Sequence, residues 1–74
     1  MDIRALFGAR LKQLREEKEL TQEQLAEVID VTPQHLSDIE RGKYAPRFDK
    51  LPLIAKTLER PLPELFIFPE EPSL

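Results

Sequence analysis

Apolar side chains recur at every third or fourth position along most of the chain, which is the spacing of helices with one buried face. The first such segment predicts a helix that Asp2 caps and that runs to about Lys18. Its apolar positions are Ile3, Leu6, Phe7, Leu11 and Leu14. We therefore expect an all-α fold.

Two shorter apolar segments follow, with a three-residue break between them. Thr21 and Gln24 have the spacing of a capping box, which predicts that a helix begins at Gln22. Thr32-Pro33 predicts a second start, because Thr is a good N-cap and Pro is tolerated at the first helical position. This second helix closes at Arg41-Gly42, with the glycine just beyond its end. The apolar face of the first is Leu25, Ala26, Val28 and Ile29.

The apolar positions of these two segments must all point inward. A tight, roughly perpendicular helix pair is the arrangement that satisfies this, and Ala26 lies where a small side chain permits a close crossing. The sequence therefore predicts a helix-turn-helix unit from Gln22 to Arg41. Its inward residues are Leu25, Ala26, Ile29, Val31, Leu36 and Ile39.

The last third of the chain predicts two further helices and a tail. The fourth helix has Asp49 as N-cap, which leaves Pro52 in the first turn, where it costs little. Pro61 opens a short fifth helix over Leu62–Phe66, and residues 69–74 form a flexible, acidic, Pro-rich tail. We expect one compact five-helix domain over residues 1–68. The apolar positions of the fourth helix are Leu51, Ile54, Ala55 and Leu58.

Composition limits the classes of site that the chain can hold. The 74 residues include no cysteine, which excludes disulfides and thiolate zinc sites, and the single His35 cannot form a metal cluster alone. We expect no cofactor and no metal. Without an apolar span or a signal-peptide pattern, we expect a cytoplasmic protein, bacterial or phage-encoded. Its length leaves no room for an effector domain, so regulation would come from concentration, a partner or proteolysis.

The charges are unevenly distributed. The net charge of −3 argues against a general nucleic-acid binder, which is normally basic. Residues 21–31 carry three acids and no base. Within residues 41–50, however, four basic side chains outnumber one acid: Arg41, Lys43, Arg47 and Lys50 against Asp49. An acidic protein thus has one basic segment.

Several motifs with intact spacing resemble a known family. Arg15 through Ala26 contains the family's run of Arg, two acids, a short turn, Thr-Gln and Leu-Ala, and residues 39–43 match its Ile-Glu-x-Gly-Lys signature. Over about residues 10–65 the chain is similar to the Cro and phage-repressor (XRE-like) helix-turn-helix regulators. The resemblance implies a lambda-repressor-like fold and a sequence-specific, dimeric repressor that reads an inverted-repeat operator. The matching stretches are LKQLREEKELTQEQLAEVI, VTPQHLSDIERGKYAP and LPLIAKTLERPLPEL.

The resemblance also implies which residues touch DNA bases. The base-reading positions fall on Pro33, Gln34 and Asp38. Gln34 can pair bidentately with adenine, whereas Pro33 can make only an apolar contact, such as with a thymine methyl. Asp38 either accepts from a cytosine amino group or repels phosphates and so filters sequences. The flanking positions are Thr32, His35, Ser37 and Arg41, of which His35 suits a phosphate or a base edge.

Other residues match the family's contacts with the DNA backbone. Gln22 opens the first helix of the motif, where its amide can donate to a phosphate near the positive helix end. Arg41, Lys43 and Arg47 follow the reading helix and are candidate phosphate contacts. Such contacts set register and affinity and leave sequence preference to the bases.

A structural pair is also implied, together with three departures from the family pattern. The family pairs the residues that match Arg15 and Glu40, and breaking a buried pair of this kind costs about 3–5 kcal/mol, so folding would fail before recognition. Asp30 replaces the usual turn glycine, at the cost of slight strain. Pro33 is an unusual residue at a base-reading position, because its side chain cannot donate a hydrogen bond. Glu59-Arg60-Pro61 replaces the usual Gly-led turn after the fourth helix, which leaves the angle of the fifth helix open.

The alternative to DNA contact is that these residues are ordinary solvated surface. This alternative stays open for Gln22, Gln34, His35, Asp38 and the basic segment. The acidic face of Glu23, Glu27 and Asp30 has no nucleophile or metal partner, so we expect no enzyme. Acids on the first helix of the motif touch RNA polymerase in some relatives, and this partner also stays open.

Four apolar residues in a row, Leu65, Phe66, Ile67 and Phe68, cannot all face the core of so small a domain. At least two should lie on the surface, where such a patch often marks an interface. The simplest partner is a second copy in a homodimer. Two alternatives remain, an antitoxin that represses its own operon and captures a toxin or antirepressor, and a protein-interaction module.

Overall fold

The computed structural model describes residues 2–68, which include four α-helices. The predicted tail at residues 69–74 lies outside this range. The α-helices are α1 (Ile3–Glu17), α2 (Gln22–Ile29), α3 (Pro33–Glu40) and α4 (Leu51–Leu58), and two 3₁₀ helices span Phe48–Lys50 and Leu62–Phe66. The predicted all-α architecture is confirmed.

The helix starts follow the predicted caps. Asp2 Oδ1 accepts from the Arg4 backbone N–H at 3.0 Å. Thr21 Oγ1 accepts from Gln24 N, and Gln24 Oε1 accepts in return from Thr21 N, so the capping box is complete. Thr32 Oγ1 accepts from His35 N at 3.0 Å, with Pro33 at the first helical position. These bonds satisfy N–H groups that a helix start leaves without an intrahelical acceptor.

The turn between α2 and α3 contains Asp30 in the left-handed conformation, with φ 62° and ψ 49°. Glu19 and Glu59, with φ of 61° and 57°, adopt the same conformation after α1 and α4. Non-glycine residues are strained there, although Asp tolerates the conformation better than most. Asp30 therefore occupies a backbone conformation that glycine adopts without strain.

The core lies where α1, α2, α3 and α4 converge. Of the predicted inward residues of the helix-turn-helix, Val31 is partly buried and the others are fully buried. Val28, predicted on the apolar face of α2, is exposed. At 3.6 residues per turn it lies roughly 100° from the centre of the stripe that Leu25, Ala26 and Ile29 form, so that prediction was wrong. The core residues are Phe7, Leu11, Leu14, Leu25, Ala26, Ile29, Leu36, Ile39, Leu51, Ile54, Ala55, Leu58 and Leu65.

The start of α4 differs from the prediction in one detail. Asp49 does not cap α4 but lies within the preceding 3₁₀ helix, in which Lys50 N donates to Arg47 O at 2.9 Å. Pro52 occupies the first turn of α4, as predicted. Since proline has no backbone N–H, the start of α4 has one fewer N–H group that needs a hydrogen-bond acceptor.

The predicted fifth helix is a 3₁₀ helix over the same residues, Leu62–Phe66. Pro63 supplies no backbone donor, and Glu64 N donates to Pro61 O at 2.9 Å, the short i→i+3 bond of a 3₁₀ helix. Leu65 points into the core and is 1% exposed.

Helices α1 and α3 approach so closely at Gly8 that only a glycine fits. A Cβ at this position would lie 2.3 Å from Ile39 O and 2.6 Å from Glu40 O. Gly42, as predicted, ends the α3 region in a conformation that favours glycine, with φ 82°. The position of α3 on the molecule is therefore fixed by backbone contact as well as by side-chain packing. None of the helices described is long and apolar enough to cross a membrane.

Candidate nucleic-acid interface

Helix α3 presents a row of polar side chains on its outer surface. Gln34 and Asp38 are one turn apart, and Arg41 continues the same row. Pro33, Gln34 and Thr32 are exposed, whereas His35, Ser37 and Asp38 are partly buried. The fold thus brings the residues predicted to read bases onto one short helix.

Asp38 is the centre of a hydrogen-bonded cluster on this row. Its Oδ1 accepts from Gln34 Nε2 at 3.1 Å and from Arg41 Nη2 at 2.5 Å, and Lys43 Nζ lies 4.0 Å away. Partial burial raises the pKa of Asp38, but the hydrogen bonds from Arg41 and Gln34 and the charge of Lys43 outweigh it. The pKa is therefore lowered below its ordinary value, and the carboxylate is ionised at neutral pH.

Arg15 and Glu40 form a two-point ion pair that ties α1 to α3. Arg15 Nε donates to Glu40 Oε2 at 2.6 Å, and Nη2 donates to Oε1 at 3.0 Å. Arg15 Nη1 also donates to Leu20 O at 2.8 Å, so the guanidinium holds the chain leading into α2. The hydrogen bond to Glu40 raises the pKa of Arg15 against the opposing effect of burial. This pair therefore holds the helix-turn-helix against α1, at the start of α2 and at the end of α3.

Gln22 joins the same network. Its Nε2 donates to Glu40 Oε1 at 2.9 Å, although the sequence predicts that this amide donates to a DNA phosphate. A side-chain amide carries two N–H groups, so one of them remains for a phosphate. Glu40 therefore holds the Gln22 side chain at the start of α2 while a second donor stays free.

The basic segment, residues 41–50, follows the C-terminal end of α3. It then returns past the N-terminal end of the same helix. Lys43 and Arg47 are exposed, and Arg47 lies beside a cavity of about 380 Å³ that Thr32, His35 and Lys50 also line. The ion pair of Arg47 with Asp49, at 3.5 Å, is exposed on both sides and holds the arginine only weakly. This side of the molecule therefore offers exposed cations close to α3.

Tyr44 is a further candidate that the sequence prediction omits. Its ring lies 5.8 Å from that of His35, and the side chain is half-exposed. Its hydroxyl can donate to a phosphate in the same way as a serine or threonine hydroxyl. The signal in the sequence is an aromatic residue within a basic segment. In residues 2–68 no three His, Asp or Glu side chains converge as a metal site.

The apolar C-terminal segment divides between core and surface. Leu65 is buried in the core, so its assignment to an interface was wrong. Phe66 and Ile67 are exposed, which confirms that at least two of the four residues lie on the surface. Phe66 packs on Phe7 at a centroid distance of 5.3 Å and borders an apolar groove of about 250 Å³. Its other lining residues are Ile3, Arg4, Phe7, Ala45, Pro46, Phe48 and Leu51.

The family is established by comparison with known proteins. A helix-turn-helix family model, HTH_3, matches residues 11–65. The chain belongs to this helix-turn-helix family. Family members of this type are DNA-binding transcriptional regulators, repressors among them, which agrees with the resemblance to Cro and phage repressors.

Individual members of the helix-turn-helix family are similar over most of the chain. The control protein C.MunI from Mycoplasma sp is 42% identical over 66 residues, which cover 88% of this chain and 89% of that protein. The restriction-modification controller protein C.AhdI from Aeromonas hydrophila has a similar structure, with a TM-score of 0.77, 32% identity and coverage of 84% of this chain and 94% of that chain. The immunity repressor protein of Bacillus phage phi105 is 43% identical over 51 residues, 69% of this chain. The match spans only 35% of the length of that repressor.

Proposed function

We propose that this helix-turn-helix protein is a sequence-specific repressor that binds an inverted-repeat operator as a dimer, with α3 in the major groove. The observation that carries the proposal is the polar row of α3, in which exposed Gln34 and Arg41 flank the partly buried Asp38, on a helix held by backbone contact and a buried ion pair. A rigid reading helix loses little freedom on binding, which favours recognition. Similarity to bacterial and phage regulators supports action in the bacterial cytoplasm.

Phosphate contacts come from two sides of α3 in this proposal. Gln22 and the start of α2 supply donors on one side, and Lys43 and Arg47 supply cations on the other. Each phosphate that a cation neutralises releases counterions, so affinity falls steeply with salt. The local basic segment provides this attraction in a protein whose net charge is −3.

The second copy of the dimer would cover the exposed apolar surface. Phe48 is 88% exposed and Ile67 is 54% exposed, and Phe48 lines the same groove as Phe66. To read two half-sites one helical turn of DNA apart, such a dimer needs its two copies of α3 about 34–36 Å apart. Ile67→Glu should leave the monomer folded and abolish dimers in sedimentation analysis. An unchanged dimer would exclude this surface.

The test of DNA binding is the salt dependence of affinity, measured by fluorescence anisotropy on duplex DNA. Replacing Lys43 and Arg47 together with alanine should reduce the slope of log K against log salt by about 2 and weaken all sequences alike. Arg41 is left in place because Asp38 binds it. The matched control replaces two exposed lysines elsewhere, Lys12 and Lys56, with alanine and should leave the slope nearly unchanged.

Gln34→Ala completes the same test. It should relax sequence preference while the salt slope stays unchanged, because Gln34 carries no charge. A protein-interaction module, the alternative class of function, would show neither effect.

A second candidate, transcription activation, is favoured by the exposed acids Glu23 and Glu27 on α2. Their glutamine variants should retain DNA affinity and lose stimulation of RNA polymerase in a purified transcription assay. If the unaltered protein and the glutamine variants reduce transcription equally when they bind the operator, repression is the function. Glu23 and Glu27 are then ordinary surface residues with no role in activation.

A further inference from the structure

The polar row of α3 is already hydrogen-bonded internally before any DNA is present. A single oxygen, Asp38 Oδ1, accepts from Gln34 Nε2 and Arg41 Nη2 and lies 4.0 Å from Lys43 Nζ. The Asp38 side chain is 14% exposed, whereas that of Arg41 is 58% exposed. The carboxylate thus sits beneath the donors that a base-reading surface would use.

This arrangement fixes what Gln34 can offer to a base. A side-chain amide has two N–H donors and one carbonyl oxygen, and Asp38 takes one of the donors. The remaining N–H and the oxygen form a donor–acceptor pair. Adenine presents the complement of that pair in the major groove, an N7 acceptor beside an N6 amino donor.

The same carboxylate restrains Arg41. Bidentate contact between Arg and the O6 and N7 acceptors of guanine is the commonest specific contact in the major groove. In the free protein the guanidinium is bound by Asp38, although its other N–H groups can still reach a phosphate. The carboxylate is itself acceptor-only and is repelled by the two acceptors of guanine.

We infer that Asp38 determines the base preference of α3, by orienting Gln34 towards adenine and by withholding Arg41 from guanine. The preferred base on the contacted strand is therefore adenine, whose N7 acceptor and N6 amino donor complement Gln34, and guanine at that place on the same strand is rejected. This inference rests on the proposed function, since it concerns how the same helix reads DNA.

The test is selection of bound duplexes from random DNA at one stated salt concentration, for the unaltered protein and for Asp38→Asn. Asparagine has nearly the same shape, but it loses the charge that holds Arg41 and gains an N–H donor. The unaltered protein should select adenine, and not guanine, on the contacted strand at this position. The variant should accept guanine there, and the affinity ratio between the original site and its guanine-substituted form should fall about tenfold.

Glu16→Gln is the matched control, because it removes one negative charge from an exposed position on α1. It should raise affinity slightly for all sequences and leave the consensus unchanged. If Asp38→Asn behaves in the same way, Asp38 acts only through net charge and the inference is overturned. If the unaltered protein selects no consensus at all, the proposed function itself fails and the inference falls with it.

A second measurement on the free protein needs no DNA and also checks that the variant is folded. The side-chain amide signals of Gln34 in a nitrogen–proton correlation spectrum should move in Asp38→Ala, which removes the acceptor, while backbone signals of α1 and α4 stay in place in both Asp38→Ala and Asp38→Asn. Gln34 amide signals at the same positions in the unaltered protein and in Asp38→Ala would show that the hydrogen bond does not hold the amide in solution, which would overturn the inference.

Discussion

Replacing Glu40 with glutamine tests the link between the ion pair and the reading helix. The change keeps the shape of the side chain and removes its charge, so Arg15 is left as an uncompensated charge with a side chain only 9% exposed. Two charge-assisted hydrogen bonds, at 2.6 and 3.0 Å, are lost or weakened. Breaking one side of a buried pair costs about 3–5 kcal/mol. A chain of 74 residues has about 4–11 kcal/mol of stability in total, so the loss is a large share of it.

The assay is urea denaturation followed by circular dichroism at pH 7. For a domain of this size the slope is about 1 kcal/mol per molar of urea, so the midpoint should fall by about 3 M or more. Glu17→Gln is the control, because Glu17 pairs with Arg60 on the surface, and it should cost less than about 1 kcal/mol. A loss below about 1 kcal/mol for Glu40→Gln would refute the view that this pair holds α1 and α3 together.

Three further predictions concern single positions. Gly8→Ala should destabilise the protein by about 1–3 kcal/mol in the same assay, because its Cβ would overlap Ile39 O; at an open helical site the change would stabilise by about 1 kcal/mol instead. Asp30→Gly should raise the free energy of unfolding by about 0.5–1 kcal/mol by relieving the left-handed strain, and a fall in the melting temperature would contradict this. By carbon-detected NMR titration Asp38 should have a pKa below 3.8, rising in Arg41→Gln. Because that pKa is depressed in the folded state, the stabilising contribution of Asp38 is present above the unfolded pKa and is lost as pH falls through the folded pKa. A carboxyl that titrates at or above 3.8 would contradict the hydrogen-bonded cluster.

Much of the fold follows from local sequence. The starts of α2 and α3 are set by Thr21 and Thr32, whose hydroxyls bond to backbone groups three residues away, so a short window contains the whole interaction. The end of α1, at Glu17, lies within one residue of the predicted end. Apolar spacing identifies the buried face of each helix, except at its margins, where Ile3 of α1 and Val28 of α2 are exposed.

Features that depend on distant parts of the chain are harder to predict. Gly8 is required because the backbone of α3 passes within contact of it, and no neighbour in sequence indicates this. The C-terminal segment forms a 3₁₀ helix that places Leu65 in the core, and this is a long-range contact that local spacing does not specify.

The sequence predicts which residues form the candidate site better than it predicts the hydrogen bonds between them. The resemblance to a family identifies the helix and its exposed residues. It does not indicate that Asp38 binds both Gln34 and Arg41, although their i,i+4 and i,i+3 spacing permits it. The pairing of Gln22 with Glu40 joins residues 18 positions apart and could emerge only from the packing of α2 on α3.

The most direct test of sequence-specific DNA binding through α3 is selection of bound duplexes from a random pool by the unaltered protein at stated salt. We predict an inverted-repeat consensus whose half-sites are centred about 10–10.5 base pairs apart. A recovered pool as random as the starting pool would contradict the central claim.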